Sequence, residues 1–104
     1  MPNLPIFNAS EPNTVPAKVY DKIWIEQIVI QAPDPNGDAV GEVKLHKYGV
    51  FDGVAELDPQ DGKWIRIQNL LTESDNDQDL SNALTYLLTY IQKLGQSNNI
   101  IAIE

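Results

Sequence analysis

The sequence predicts an α+β domain: a small antiparallel β-meander of three to four strands with one C-terminal helix packed on it, preceded by a Pro-rich extended arm. Three observations carry that expectation. Prolines 2, 5, 12 and 16 crowd the first residues. Between residues 22 and 68, β-branched and aromatic runs alternate with clusters of Asn, Asp, Gly and Pro, the signature of strands and turns. From Leu80 to Leu94, apolar residues recur at alternating spacings of four and three, the period of one helix face. The resulting division is an arm over 1–18, an α+β domain over 19–95, and a C-terminal tail or edge strand over 96–104.

The arm comes first. Each proline fixes its own φ and pushes its predecessor toward extended backbone, so this stretch is no helix and makes a poor strand. Yet Leu4, Ile6, Phe7 and Val15 are apolar, which suits an arm that lies on protein, either its own domain or a neighbouring subunit.

Lys22–Ile30 is the strongest strand signal. Strict alternation sends Trp24, Ile28 and Ile30 one way and Ile23, Ile25 and Val29 the other, so both faces are apolar. Asn36-Gly37 then suits a tight hairpin turn. Ala39–Tyr48 alternates, with Val43 and Leu45 inward and Glu42, Lys44 and His46 toward water. Gly49–Gly53 makes the next reversal. Val54–Leu57 and Lys63–Gln68 form a second strand pair around the turn-rich Asp58–Gly62, with Ile65 and Ile67 facing the core and Trp64, Arg66 and Gln68 opposite.

The last third is helical. The run Asp75–Asp79 supplies capping oxygens and negative charge at a helix N-terminus. The stripe Leu80, Leu84, Leu87, Ile91 and Leu94 is read as the face packed on the sheet, since it is short for a coiled coil. Gly95 is placed to end the helix. The run Ile100–Ile103 then adds an edge strand or docks on a partner.

Fifteen acidic against seven basic residues give a formal charge of −8. That sign repels phosphate backbones and anionic lipid, so neither nucleic acid nor a membrane surface is expected as partner. The absence of cysteine excludes disulfides, thiolate metal sites and thiol nucleophiles. No apolar run reaches the length of a membrane span, about 18 residues. The start, Met1-Pro-Asn-Leu-Pro5, lacks the basic and apolar regions of a signal peptide, so folding in a cytoplasm is expected.

Catalytic chemistry finds little footing. His46, the only histidine, falls between Lys44 and Lys47 on a polar face and is read as a surface side chain. The runs Asp34–Asp38 and Asp75–Asp79 imitate calcium loops, but their glycine and closing glutamate positions are wrong. Nucleophile-elbow, phosphate-loop and zinc-helix motifs are missing. No enzyme, cofactor or metal is expected. The expected activity is adhesion to other proteins through Leu4, Ile6, Phe7, Val15, Trp24, Trp64, Ile101 and Ile103.

The segment Tyr20–Asp38, with its strand ending in Ala32-Pro33-Asp34-Pro35, resembles small, mostly uncharacterised structural proteins encoded in the tail region of tailed bacteriophages. Ile65–Leu71 resembles their passage from strand to helix, although Gln68-Asn69 stands where acidic residues are expected, and the end from Asn98 is longer. The resemblance implies a virion component of the tail or baseplate, oligomeric and held by neighbouring virion proteins. A capsid decoration protein is the near alternative. A free acidic inhibitor of a host protein is the remote one.

Overall fold

A computed structural model describes residues 6–103; Leu4 lies outside the described residues. The fold is α+β, an antiparallel meander followed by helix. It contains β1 (Phe7–Val15), β2 (Lys18–Gln31), β3 (Val40–Phe51), β4 (Val54–Leu57), β5 (Lys63–Ile67), α1 (Leu70–Ser74) and α2 (Gln78–Ser97). The sheet order is β1-β2-β3-β4, with β5 also paired to β3.

The arm is corrected over residues 7–15. They form an edge strand antiparallel to β2, with Phe7 opposite Ile23 and Val15 opposite Lys18. The prolines permit this because neither occupies a regular ladder position. Pro12 falls in the irregular stretch between Asn8 and Asn13, and Pro16 falls in the turn to β2. Ala17 follows Pro16 at φ 66°, the sign pattern of a type II turn.

Alternation along β2 is corrected by a bulge. The register shifts between Ile25 and Gln27, leaving Glu26 unpaired. Ile23 and Ile25 oppose Lys47 and Leu45, while Ile28 and Ile30 oppose Val43 and Gly41. All four isoleucines therefore share one face of the sheet, and Trp24 shares the other with Gln27 and Val29. One extra residue turns a strand that reads as apolar on both sides into an amphipathic one.

Two turns differ from expectation. Neither Asn36 nor Gly37 adopts positive φ. The β2–β3 connection is longer, and Asp34 organises it by accepting from the Asn36 amide through its side chain (2.9 Å) and from Gly37 through its carbonyl (3.1 Å). The reversal placed at Gly49–Gly53 occupies only Asp52-Gly53, at φ 52° and 77°, the left-handed pair of a type I′ hairpin. Gly49 is a buried strand residue, where a β-carbon would strike the Val19 carbonyl at 2.6 Å.

β4 and β5 do not pair with each other. Both lie along the same edge of β3, β4 against Tyr48–Phe51 and β5 against Gly41–Leu45. Asp58–Gly62 is thus an excursion from one interrupted strand. The ladder is carried across its start by the Asp58 amide, which donates to the Lys47 carbonyl at 3.0 Å. Ile65 and Ile67 share the isoleucine face and Trp64 and Arg66 the opposite one, as the alternation predicts.

Asp77 caps α2, accepting from the amides of Asp79 (3.0 Å) and Leu80 (3.1 Å). Gly95 does not end the helix, which continues to Ser97. Asn99, at φ 60°, closes it in a Schellman motif: the Asn99 amide donates to Gln96 and the Ile100 amide to Gly95. The expected terminal strand is absent from the described residues; Ile100–Ile103 fold back toward the helix end instead.

Candidate interaction surface

The core is small. Among the described residues only Tyr20, Ala39 and Leu70 are buried apolar side chains, and no residue of α2 is buried. Tyr20 meets Phe51 edge-on at 5.5 Å between ring centroids, closing one end of the long β2–β3 hairpin. At the other end, Leu70 sits beside Gly41 and Ile67, and its amide donates to the Ala39 carbonyl at 2.8 Å.

Between these ends the molecule is long and open. It measures 58 × 29 × 23 Å with a radius of gyration of 17.8 Å, against about 13 Å for a compact chain of this length. Its accessible surface is 8301 Å², where a compact monomer of this mass exposes about 5,800 Å². The excess, roughly 2,500 Å², has the size of an obligate subunit interface.

Many of the exposed large apolar side chains gather in three patches. On the isoleucine face, Ile28, Ile30 and Ile65 are exposed. A cleft of about 220 Å³ separates Ile28, Ile30 and Ile67 from Leu80, Leu84 and Leu87 of α2. Helix and sheet thus meet only partly, which corrects the reading of the whole stripe as core. On the opposite face, Trp24 lines a groove of about 340 Å³ with Tyr48, Ala55 and Leu57. The third patch is the far end of α2, where Leu88, Tyr90, Ile91 and Leu94 stand exposed beyond the cleft.

The expected anchors distribute across these patches without converging. Ile6 and Phe7 are exposed at the β1 edge and Val15 is half-buried. Trp24 and Trp64 are 41% and 48% exposed. Both lie on the face opposite the isoleucines, and Lys44 stands 5.9 Å from the Trp64 ring centroid. Ile101 packs on the end of α2, whereas Ile103 is 80% exposed. Tyr86, Leu88 and Tyr90 were not foreseen as surface. Their signal was present, since apolar residues on several sides of one helix exceed what a single sheet face can cover.

His46 is corrected: it is buried, 8% exposed. Its Nδ1 lies 3.2 Å from Glu26 Oε2 and its Nε2 3.0 Å from the Asp58 carbonyl. Both neighbours are acceptors, so only the imidazolium satisfies both, and its pKa is raised, first by the Asp58 carbonyl and then by Glu26. Lys44 bridges Glu26 (3.4 Å) and Asp61 (3.1 Å), and Asn13 Nδ2 donates to Asp58 Oδ1 at 2.9 Å. The bulged Glu26 and the β4–β5 excursion therefore clasp His46 between them, with β1 tied to the same point.

In the two calcium-like runs, three carboxylates face backbone amides. Asp34 holds its turn, Asp38 caps α1 through Leu71 and Thr72, and Asp77 caps α2. Among the described residues no group of three or more acidic, His or Cys side chains is disposed to hold a metal, and no helix is long and apolar enough to cross a membrane. Comparison with protein-family models, curated proteins and solved structures returned no match.

Proposed function

We propose that this chain is a structural subunit of a bacteriophage particle, at the tail or baseplate, whose activity is adhesion to neighbouring virion proteins. The observation that carries the adhesive role is the uncovered apolar surface, too large for a protein that works alone in water. The phage setting rests on the resemblance of Tyr20–Asp38. Two means of attachment suit this geometry. The free edges of β1 and of β4–β5 offer main-chain groups for strand addition, and Trp24 and Trp64 offer aromatic anchors beside them.

The exposed patches are apolar more than charged, which favours a fixed structural role over capture of a basic groove by an acidic inhibitor. No catalytic or cofactor role enters the proposal, and neither nucleic acid nor membrane is among the proposed partners. The chain folds in the host cytoplasm and resides in the virion. Quantitative mass spectrometry of purified particles tests this reading: the expected result is a fixed copy number per particle, and absence from the particle overturns it.

A further inference from the structure

The β4–β5 excursion is held to the sheet at two points by two side chains of β3. The Asp58 carbonyl lies 3.0 Å from His46 Nε2, and Asp61 Oδ1 lies 3.1 Å from Lys44 Nζ. One atom joins the two holders: Glu26 Oε2, at the β2 bulge, is 3.2 Å from His46 Nδ1 and 3.4 Å from Lys44 Nζ. Lys44 Nζ also stands 5.9 Å from the Trp64 ring centroid. We infer that His46 is a proton switch: on losing one of its two N–H protons, the ring releases Glu26, which draws Lys44 away from Asp61 and from the Trp64 ring. Trp64 is one of the anchors of the adhesive reading, but the switch does not depend on what Trp64 binds.

A neutral ring cannot keep both contacts, because both neighbours accept and one nitrogen then carries no hydrogen. The contact it keeps is the one to Asp58. That carbonyl belongs to a buried residue, and a main-chain acceptor left unpaired away from water is costly. Glu26 is part-exposed, so its carboxylate swings off the ring once Nδ1 presents a lone pair to it. Charge then decides where Lys44 goes. With the ring protonated, His46 and Lys44 balance Glu26 and Asp61. With the ring neutral, the two carboxylates compete for Lys44 alone. Their side chains are 27% and 84% exposed, so Asp61 is the better hydrated and Glu26 keeps the lysine. The charged groups around the ring are thus Glu26 from β2, Asp58 and Asp61 from the excursion, and Lys44 on β3. The Asp58 carboxylate is engaged elsewhere, by Asn13 Nδ2 and the Gln60 amide. The ring's pKa is raised, first by the Asp58 carbonyl, which sets the swap above the ordinary histidine value of 6.5.

His46 is the only histidine, so its ring signals in an NMR pH titration of the full chain are unambiguous. In the wild type the neutral ring is expected to carry its hydrogen on Nε2, as read from the two ring nitrogen shifts. The Trp64 indole and the Gly62 amide are expected to titrate with the ring's midpoint. In Lys44→Met the ring still titrates but the Trp64 indole no longer follows it. In Glu26→Gln the ring's midpoint falls and the Trp64 response is lost. A neutral ring protonated at Nδ1, or a Trp64 indole that stays fixed across the wild-type transition, overturns the switch. So does a Trp64 response that persists unchanged in Lys44→Met, which would show that the indole senses the ring's charge directly. The wild-type readouts need no substitution, so they decide the matter even where a variant unfolds.

Discussion

Ile101 lies against Gly95 so closely that no β-carbon fits between them. The tail turns at Asn99, and the amides of Ile100 (2.8 Å) and Ile101 (3.0 Å) both donate to the Gly95 carbonyl. Glycine stands inside the helix to leave room for the returning chain. Gly95→Ala is therefore expected to destabilise the protein and free the tail to proteases, although alanine is the better helix former. In an Ile101→Ala background the sign reverses, and the same change stabilises by up to about 1 kcal/mol. Urea unfolding of the four-member cycle checks the reversal.

Asp38 reaches across the chain to cap α1. Its carboxylate accepts from the Leu71 amide (2.7 Å), the Thr72 amide (3.2 Å) and the Thr72 hydroxyl (2.7 Å). Asn69, at the conventional capping position, makes no side-chain cap. The Thr72 hydroxyl, then the backbone amides, hold the Asp38 pKa below its ordinary value. This contribution is present above the unfolded-state pKa and is lost as pH falls through the folded-state one. Asp38→Ala is expected to lower the thermal midpoint at neutral pH, with the difference from wild type narrowing in acid. Thermal scans across that pH range check both.

The His46 clasp titrates in the opposite sense. Its folded-state pKa is raised, so its stabilisation is fully present below the unfolded value of about 6.5 and is lost as pH rises through the folded value. Asp61, held below its ordinary pKa by Lys44, and Lys44, held above its own by Asp61, keep their charges over that interval. Urea midpoints measured at about pH 5 and about pH 9 are expected to fall with pH for wild type, and to fall less for His46→Gln. At the lower pH the substitution is expected to cost about 1–3 kcal/mol, because the ring's two acceptors cannot both be satisfied in the old geometry.

Ala17 occupies left-handed backbone at φ 66° in the β1–β2 turn. Strain of about 1–2 kcal/mol there exceeds the entropy that glycine adds to the unfolded chain, so Ala17→Gly is expected to stabilise by about 0.5–1 kcal/mol. Chemical denaturation checks this, and a destabilised variant would show that the turn relaxes without glycine.

Locally coded features were legible in the sequence. Asp77 caps α2, the β2–β3 hairpin forms, and Ile65 and Ile67 alternate with Trp64 as their spacing requires. What escaped depended on contacts between distant residues. A single unpaired Glu26 re-sorts the faces of β2, and no local pattern marks it. β4 and β5 look like a hairpin because Asp58–Gly62 is rich in turn residues, yet the edge of β3 takes both. His46 is polar by type and by neighbours, and only the fold brings Glu26 and the Asp58 carbonyl to its two nitrogens. At the surface, Phe7, Trp24, Trp64 and Ile103 are exposed, but the face of α2 read as core is largely exposed too. Period alone does not say how much of a stripe its own sheet can reach.

Hydroxyl-radical footprinting of the chain in purified particles, compared with the isolated chain, tests most directly whether these apolar patches are covered in the working state. Trp24, Trp64, Tyr86 and Tyr90 report on the sheet face and on the helix, and all four are exposed in the single chain. The account predicts marked protection of the two tryptophans and of at least Tyr90 in the particle. Equal reactivity in both states would contradict it.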